Sequence, residues 1–358
     1  MKKHNFFAGP AILPESVLKQ AAQAAANWGD MGLSILEISH RSKEFVAVME
    51  EAEALVKELL GLNEEYAVLF LTGGASSQFF MTAMNLLSED ETAAYVDTGS
   101  WSSKAIKEAK NFGNIEVLAS GKETNYSRIP KDYGVPAAAK YLHLTSNNTI
   151  FGTQYHWWPK TEVPFVCDMS SDIFSRPLNT DRFGVIYAGA QKNLGPAGLT
   201  LVIVRKELTG KANRVLPTML NYQTHINKNS SFNTPPVFPI YVSLLTLRWI
   251  KERGGLEAMA KNNAKKAALI YDEIDANACF RGTAEKEDRS LMNVTFVMAE
   301  GFESLEKGFL EAAVEAGCVG VKGHRSVGGF RASIYNAMPI KSVQVLVEVM
   351  QKFGQRHA

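Results

Sequence analysis

The sequence predicts an α/β protein with a large domain built on parallel strands and a smaller α+β domain after it. Apolar runs rich in β-branched residues alternate with helical patterns between residues 66 and 204, which is typical of βαβ units and a sheet covered on both faces. A predicted helix then ends at Gly254-Gly255, a plausible joint before the second unit. A chain of 358 residues, 46% of them apolar, is long enough for two domains.

Two helices are expected before the first strand. One is expected to start near Pro14, because a proline followed by an acid suits a first helical turn. The clearest helix follows Glu44 and ends at Gly61, a fitting C-terminal stop. Its apolar face is formed by Phe45, Val48, Met49, Ala52, Leu55, Val56 and Leu59.

The predicted strands bring small and polar residues to one edge of the sheet. They cover residues 66–71, 93–96, 115–118, 140–144, 163–169, 185–187 and 199–204, with helices expected over 78–87, up to 110 and over 240–253. Ligands of such sheets bind beyond the carboxyl ends of the strands. The residues expected at those ends are Gly73, Gly74, Trp101, 145–149, Asp168 and Lys192.

The composition of the chain limits which kinds of molecule we expect it to bind. The 38 basic and 37 acidic residues are interspersed and leave a net charge of +1, so we expect no nucleic acid and no membrane partner. The first residues lack the apolar stretch of a signal peptide, and no apolar run reaches the roughly 18 residues of a membrane span. The three cysteines have no metal-type spacing. We therefore expect no metal site, and buried reduced thiols in a cytoplasmic protein.

Lys192 is the residue around which the predicted site is arranged. It follows the strand at 185–187 and lies between the small-residue segments 188–190 and 195–198. A lone lysine in a turn is usually solvated, but exposed turns rarely carry so many small residues on both sides. A lysine amine condenses with aldehydes, and pyridoxal phosphate is the cofactor that uses this chemistry.

The other strand ends supply what that cofactor needs. Residues 73–77 precede a helix and can offer backbone N–H groups to a phosphate. Asp168 can pair with the pyridine nitrogen, and Trp101 can stack on the ring. Thr149 and Gln191 can donate to the 3′-oxygen and the phosphate. Each feature alone is common as a turn, a helix cap or a core aromatic, so only their joint placement points to this cofactor.

The predicted substrate side is cationic. Arg331 lies among small residues at 328–333, which suits a two-pronged grip on a carboxylate. His40-Arg41 and His324-Arg325 are two His-Arg pairs in predicted loops. Either pair alone could be solvated surface charge. Together with Arg331, they indicate a substrate with more than one anionic group.

These residues lie in motifs that resemble the class-V aminotransferases, and among them the phosphoserine-forming branch. The motifs are residues 5–11 (NFFAGPA), 39–45 (SHRSKEF), 168–172 (DMSSD), 187–193 (YAGAQKN), 232–236 (FNTPP) and 328–336 (GGFRASIYN). The resemblance implies the type I fold of pyridoxal-phosphate enzymes, with a mostly parallel seven-stranded sheet. It implies a large cofactor-binding domain over 16–256 and a small domain made of 1–15 and 257–358.

The resemblance also implies a role for each candidate residue. Lys192 would hold pyridoxal 5′-phosphate covalently and then move the substrate α-proton, while Asp168 would pair with the ring nitrogen. The remaining cofactor contacts would come from Trp101, Thr149, Ala75, Ser76 and Gln191. The long polar segment 221–236 is predicted to be a functional or interface loop. The resemblance implies that its residues Asn233 and Thr234 reach the cofactor phosphate of the neighbouring subunit in a homodimer.

The implied reaction converts 3-phosphohydroxypyruvate and glutamate to phosphoserine and 2-oxoglutarate. Arg331 would bind the α-carboxylate, and the two His-Arg pairs, His40-Arg41 and His324-Arg325, would bind the phosphate or the distal carboxylate. Some relatives carry an arginine at the position of Ser76, so phosphate binding here would depend more on those pairs. Several members of this branch also act on a phosphorylated hydroxythreonine in vitamin B6 synthesis, which leaves that second substrate open.

Other activities are less compatible with the residues. A class-V desulfurase needs a mobile nucleophilic cysteine, whereas Cys167 lies inside a predicted strand. Alanine–glyoxylate transamination is a further class-V alternative. A non-catalytic relative would be expected to lack Lys192, Asp168 or Arg331, all of which are present. A Rossmann dehydrogenase is disfavoured because no Gly-x-Gly-x-x-Gly opens a βαβ unit.

Overall fold

The computed structural model describes residues 3–357, so residues 1–2 and 358 of the predicted small domain lie outside the described part. Up to residue 205, the elements in chain order are β1 (His4–Asn5), α1 (Glu15–Ala26), α2 (Lys43–Leu60), β2 (Tyr66–Leu71), α3 (Gly74–Leu86), β3 (Thr92–Asp97), α4 (Ser100–Ala109), β4 (Asn114–Ser120), β5 (Leu142–Thr145), β6 (Asn147–Asn148), β7 (Thr153–Gln154), β8 (Phe165–Asp168), β9 (Phe183–Gly189) and β10 (Thr200–Arg205). The later elements are α5 (Tyr222–Asn227), α6 (Val237–Glu252), α7 (Gly255–Ala276), β11 (Phe280–Gly282), β12 (Asn293–Met298), α8 (Glu306–Glu315), β13 (Cys318–Val319), β14 (Phe330–Ser333) and α9 (Ile340–His357).

A seven-stranded sheet with the strand order β2-β10-β9-β8-β5-β3-β4 forms the centre of the protein. Strand β10 is antiparallel to both of its neighbours, and every other pair between β9 and β4 is parallel. This confirms the predicted mostly parallel α/β sheet. The carboxyl ends of β2, β3, β5, β8 and β9 meet at one edge of this sheet, together with the start of β10.

The sheet is covered on both faces, and its side chains alternate between the two layers. On β2, Val68 and Phe70 enter a core shared with α2 and α6, while Leu69 enters a core shared with α3 and α4. On β9, Ile186 and Tyr187 divide in the same way. The alternation follows from the two-residue repeat of a strand. Strands buried on both faces also explain why their sequences are almost continuously apolar.

The start of α3 differs from the prediction. The helix begins at Gly74, four residues before the predicted start at Gln78. Gly73 has a φ of 98°, which favours glycine, and the chain turns directly from β2 into the helix. Ala75 and Ser76 therefore belong to the first helical turn, where backbone N–H groups have no acceptor within the helix.

Helix α2 follows its prediction closely. Gly61 ends it with a φ of 63°, and the Ser42 hydroxyl accepts a hydrogen bond from the Phe45 N–H at its start. Leu60 is buried at its last turn, whereas the predicted Leu59 packs only partly against the core.

The prediction of a loop over residues 221–236 was wrong in one part, because α5 lies within this segment. The Asn221 side chain caps that short helix by accepting from the Gln223 N–H.

A second core lies around the three-stranded antiparallel sheet β11-β12-β14. Its centre is a cluster of five phenylalanines, each in ring contact with others of the set: Phe280, Phe296, Phe309, Phe330 and Phe353. Phe6 joins this core, and β1 pairs with β13. The long helix α7 contributes Leu256 to the first core and Ile270 to the second. The predicted boundary near residue 256 stays a prediction, and α7 begins just before it.

Candidate active site

A cavity of about 310 Å³ opens at the edge of the seven-stranded sheet where its strands end, next to the second core. Its walls come from the N-terminal segment, the first turns of α3 and α4, the ends of β5, β8 and β9, and β14. The lining residues are Ala8, Gly9, Gly74, Ala75, Ser76, Trp101, Thr145, Asn147, Thr149, Ile150, Asp168, Ser170, Ser171, Gln191, Lys192, His324 and Arg331. Nine of the predicted site residues therefore share one cavity: Ala75, Ser76, Trp101, Thr149, Asp168, Gln191, Lys192, His324 and Arg331.

Lys192 lies in a tight turn after β9. The N–H groups of Lys192 and Gly195 both donate to the Ala190 carbonyl, each at 2.7 Å. The N-terminal segment closes over the turn, because the Ala11 N–H donates to the Gln191 carbonyl at 2.9 Å. Residues 188–190 and Gly195 are buried, as predicted for small residues that do not form an exposed turn, whereas Ala197 and Gly198 are exposed and contradict that prediction. The lysine side chain is directed into the cavity.

Asp168 ends β8, the strand next to β9, and is buried. One oxygen of its carboxylate accepts a hydrogen bond from the Ser170 N–H at 2.9 Å. The Ser170 hydroxyl accepts in turn from the Gly189 N–H at 3.1 Å. Ser170 therefore links the aspartate to the strand that precedes Lys192. The sequence-based prediction missed Ser170, although an aspartate side chain commonly accepts a hydrogen bond from the backbone N–H two residues further on.

The charges of Lys192 and Asp168 each affect the pKa of the other residue. Burial lowers the pKa of Lys192 to about 8; the Asp168 carboxylate opposes this shift and the Arg331 guanidinium adds to it. Burial raises the pKa of Asp168, against the hydrogen bonds from Ser170 and the charge of Lys192. A lysine of this pKa has a sizeable fraction of neutral amine near neutral pH, so it can act as a nucleophile or a base.

Thr149 connects Lys192 with Arg331. Its hydroxyl accepts a hydrogen bond from Lys192 Nζ at 2.9 Å, and its carbonyl oxygen accepts from Arg331 Nη1 at 3.3 Å. Arg331 lies on β14 opposite Thr295 of β12, and burial lowers its pKa. The guanidinium is therefore presented by a rigid strand, at a cavity wall that the second core supplies.

Trp101 is positioned by an extensive cap at the start of α4. The Asp97 carboxylate accepts hydrogen bonds from the hydroxyls of Ser102, Ser103, Ser120 and Tyr126, at distances of 2.7 to 3.1 Å. A carboxylate at a helix N-terminus also interacts favourably with the helix dipole. The cap fixes the first turn of α4 and with it the indole in the cavity wall.

Five predicted site residues do not line this cavity. Arg325 is exposed beside His324, Arg41 is exposed, and His40 is half-buried elsewhere. Asn233 and Thr234 are exposed and line a different cavity of about 180 Å³, next to Gly73 and Ser77. Within one chain, these five residues are therefore not brought together with Lys192.

Several other findings bear on the alternatives. The three cysteines are free and buried, as predicted, and burial raises the pKa of the Cys167 thiol well above its usual value. A buried thiol of raised pKa is a poor nucleophile, which argues against desulfurase chemistry. Within residues 3–357, no His, Cys, Asp and Glu side chains group closely enough to hold a metal ion. No helix in that range is both long and apolar enough to span a membrane.

Comparisons with known proteins define the family. The aminotransferase class-V family model matches residues 4–346. The chain belongs to this family. It is 58% identical over 357 residues to a phosphoserine aminotransferase from Parabacteroides distasonis, with 100% of each chain covered. This confirms the resemblance inferred from the motifs.

Solved structures agree with the family assignment. A phosphoserine aminotransferase from Bacillus circulans subsp. alkalophilus superposes with a TM-score of 0.96 at 50% identity, covering 100% of this chain and 99% of that one. The pyridoxal-phosphate-bound phosphoserine aminotransferase from Trichomonas vaginalis gives a TM-score of 0.93 at 36% identity, covering 98% and 100%. These neighbours confirm the type I fold.

Proposed function

We propose that this protein is a pyridoxal-phosphate-dependent phosphoserine aminotransferase. It transfers the amino group of glutamate to 3-phosphohydroxypyruvate and forms O-phospho-L-serine and 2-oxoglutarate, a step of L-serine biosynthesis. The observation that carries the proposal is a single cavity that combines Lys192 and Asp168 with the imidazole of His324 and the guanidinium of Arg331. The full-length similarity to enzymes of this name supports the choice of substrate.

The donor groups of the cavity fit pyridoxal 5′-phosphate. Lys192 offers an amine, Asp168 a buried carboxylate, and the first turn of α3 offers N–H groups at Ala75 and Ser76. Within residues 3–357, Thr145 Oγ1 and Trp101 Nε1 are buried without a hydrogen-bond partner, as expected of a wall built to receive a polar ligand. A volume of about 310 Å³ lies within the range of small-molecule sites.

The bound cofactor would supply an electron-withdrawing ring that takes up the electron pair left when the substrate Cα–H bond breaks. Lys192, once released as a neutral amine, would accept that proton at Nζ and return it elsewhere on the substrate. Asp168 would hold the ring-nitrogen proton by its negative charge. Arg331 would orient the substrate α-carboxylate. Thr149 would hold Lys192 and Arg331 in fixed positions relative to each other.

The proposal extends to the subunit assembly of the protein, its cellular location and a second reaction. We propose a homodimer in which Asn233 and Thr234 complete the cavity of the neighbouring subunit, together with His40 and Arg41. Support comes from the exposure of Asn233 and Thr234 in a segment that lines a separate cavity of its own chain. A cytoplasmic location and a second reaction in pyridoxine biosynthesis, on the phosphorylated hydroxythreonine, belong to the same proposal.

A half-reaction tests the function directly. Purified protein loaded with pyridoxal phosphate is mixed with phosphoserine in one sample and with serine in another. We expect phosphoserine to bleach the near-visible band of the lysine-bound cofactor at far lower concentration than serine does. An equal response to the two amino acids would contradict the phosphate specificity, and no response to phosphoserine would contradict the function itself.

A further inference from the structure

We propose that Lys104 is a specificity-determining residue that binds the phosphate group of the substrate, together with His324 and Arg325. We call these three residues the rim. The inference rests on the proposed function and adds a residue of the large sheet domain to the substrate site. It follows from the position of Lys104, from the charges that converge on His324 and from the absence of a compensating carboxylate.

Lys104 contacts Trp101, a residue of the cavity wall, but does not itself line the cavity. Both residues belong to α4, and their separation of three positions places them on the same side of the helix. Lys104 Nζ lies 4.5 Å from the centroid of the Trp101 ring, and Trp101 lines the cavity. The lysine is exposed, so its side chain is not enclosed by the rest of the protein.

The opposite side of the rim comes from the segment before β14. His324 lines the cavity, and its Nδ1 lies 2.7 Å from the Ser326 hydroxyl, which leaves Nε2 as the nitrogen available to a ligand. Burial lowers the pKa of His324, and the charges of Arg331, Arg325 and Lys104 lower it further. Cationic groups of α4 and of the segment around β14 therefore act on the same imidazole.

The charges of the rim are not balanced by acids. Among residues 3–357, no carboxylate lies within 4.0 Å of the cationic nitrogens of Lys104, Arg325 or Arg331. The carboxylate in the cavity wall is Asp168, which interacts with Ser170 and Lys192. Like charges held together repel one another, and a bound anion relieves that repulsion. A phosphate dianion does so more than a carboxylate, because it carries more charge.

The test compares Lys104→Met with Lys107→Met in the cofactor-loaded enzyme. Lys107 is an exposed lysine on the same helix, so its variant matches the change in charge and hydrophobicity. Half-reactions are measured with phosphoserine, and with glutamate as a substrate whose second anion is a carboxylate. For Lys104→Met, we expect kcat/KM with phosphoserine to fall about 10-fold, mainly through KM, which corresponds to about 1.4 kcal/mol. With glutamate the fall should be less than about 3-fold, and Lys104→Arg should recover most of the phosphoserine activity.

The possible outcomes separate this inference from the proposed function. An equal loss with phosphoserine and glutamate would mean that Lys104 acts only by supporting Trp101, and would overturn the inference. Unchanged kinetics in Lys104→Met, or the same loss in Lys107→Met, would overturn it too. A wild-type enzyme that does not respond to phosphoserine would instead refute the proposed function.

Discussion

The side-chain nitrogen of Lys192 lies 2.9 Å from the hydroxyl oxygen of Thr149. The same threonine accepts a hydrogen bond from Arg331 through its carbonyl oxygen, at 3.3 Å. Lys192, which is proposed to move the proton, and Arg331, which is proposed to bind the substrate carboxylate, are therefore both hydrogen-bonded to Thr149. Because Arg331 belongs to a strand of the second core, the alignment of the site depends on the contact between the two cores.

Replacement of Lys192 should abolish covalent cofactor attachment and turnover. In Lys192→Ala, borohydride treatment should add no cofactor mass to the protein, and kcat should fall by about 10⁴-fold because the proton acceptor is lost. Lys211→Ala, at an exposed lysine, serves as the control and should match wild type in mass spectrometry and in steady-state rate. Appreciable turnover by Lys192→Ala would contradict the role given to the lysine.

The pH dependence of cofactor attachment should reflect the pKa of Lys192. Only the neutral amine attacks an aldehyde, and a lowered pKa means that the proton is lost at lower pH. The rate at which apoprotein captures pyridoxal phosphate should rise about tenfold per pH unit below pH 8 and level off above it. Stopped-flow absorbance measures this rate. A rate that still rose steeply from pH 8 to pH 10 would indicate a lysine with its ordinary pKa.

Asp168→Asn should separate cofactor binding from catalysis. The amide is nearly isosteric and can still accept from the Ser170 N–H, so the variant should bind pyridoxal phosphate. It cannot hold the ring-nitrogen proton by charge, so the half-reaction with phosphoserine should slow by at least about 100-fold. Cofactor content by absorbance and single-turnover rates check the two parts. A rate within threefold of wild type would rule out the proposed charge pairing.

Asn293 should contribute to stability by joining the two cores. Its buried side chain accepts from Asn147 Nδ2 at 2.8 Å and donates to Ser333 Oγ at 3.0 Å and to Tyr335 Oη at 3.1 Å. Asn293→Ala removes all three buried hydrogen bonds, although Asn147 Nδ2 still donates to Ser171 Oγ and Tyr335 Oη to the Ala8 carbonyl. We therefore expect stability to fall by about 2 kcal/mol. Thermal unfolding of apoprotein should show a midpoint several degrees lower, whereas Asn111→Ala, at an exposed site, should change it little. Equal midpoints for the two variants would contradict the linking role.

Shared active sites can be tested by complementation between two inactive variants. Lys192→Ala is mixed with the double variant Asn233→Ala/Thr234→Ala, and the subunits are allowed to exchange. A mixed dimer contains one intact site, so activity should recover to about one quarter of wild type when the subunits mix randomly. The control mixture of Lys192→Ala with Asp168→Asn should stay inactive, because both residues line the same cavity of one chain. No recovery in the first mixture would contradict the proposed dimer.

Much of the fold could be predicted because its strands are buried on both faces. The strand predicted over residues 66–71 coincides with Tyr66–Leu71, and Gly61 ends α2 as expected. Prediction failed where backbone geometry overrides residue preference: α3 starts at Gly74 because two glycines allow the turn, and α5 interrupts a polar segment that has no apolar periodicity.

The sequence by itself determined the chemistry available: a lysine among small residues, an aspartate at a strand end, and arginine and histidine in glycine-rich loops. Local residue order is enough for this, because parallel strands bring their carboxyl ends to one edge. Only the tertiary structure decided which cations meet. It brings Arg331 to Thr149 across 182 positions and brings Lys104 near enough to His324 for its charge to act on the imidazole, while Arg41 and Asn233 remain outside the cavity. Such contacts depend on how the two cores pack together, and this packing is not written in any local pattern of the chain.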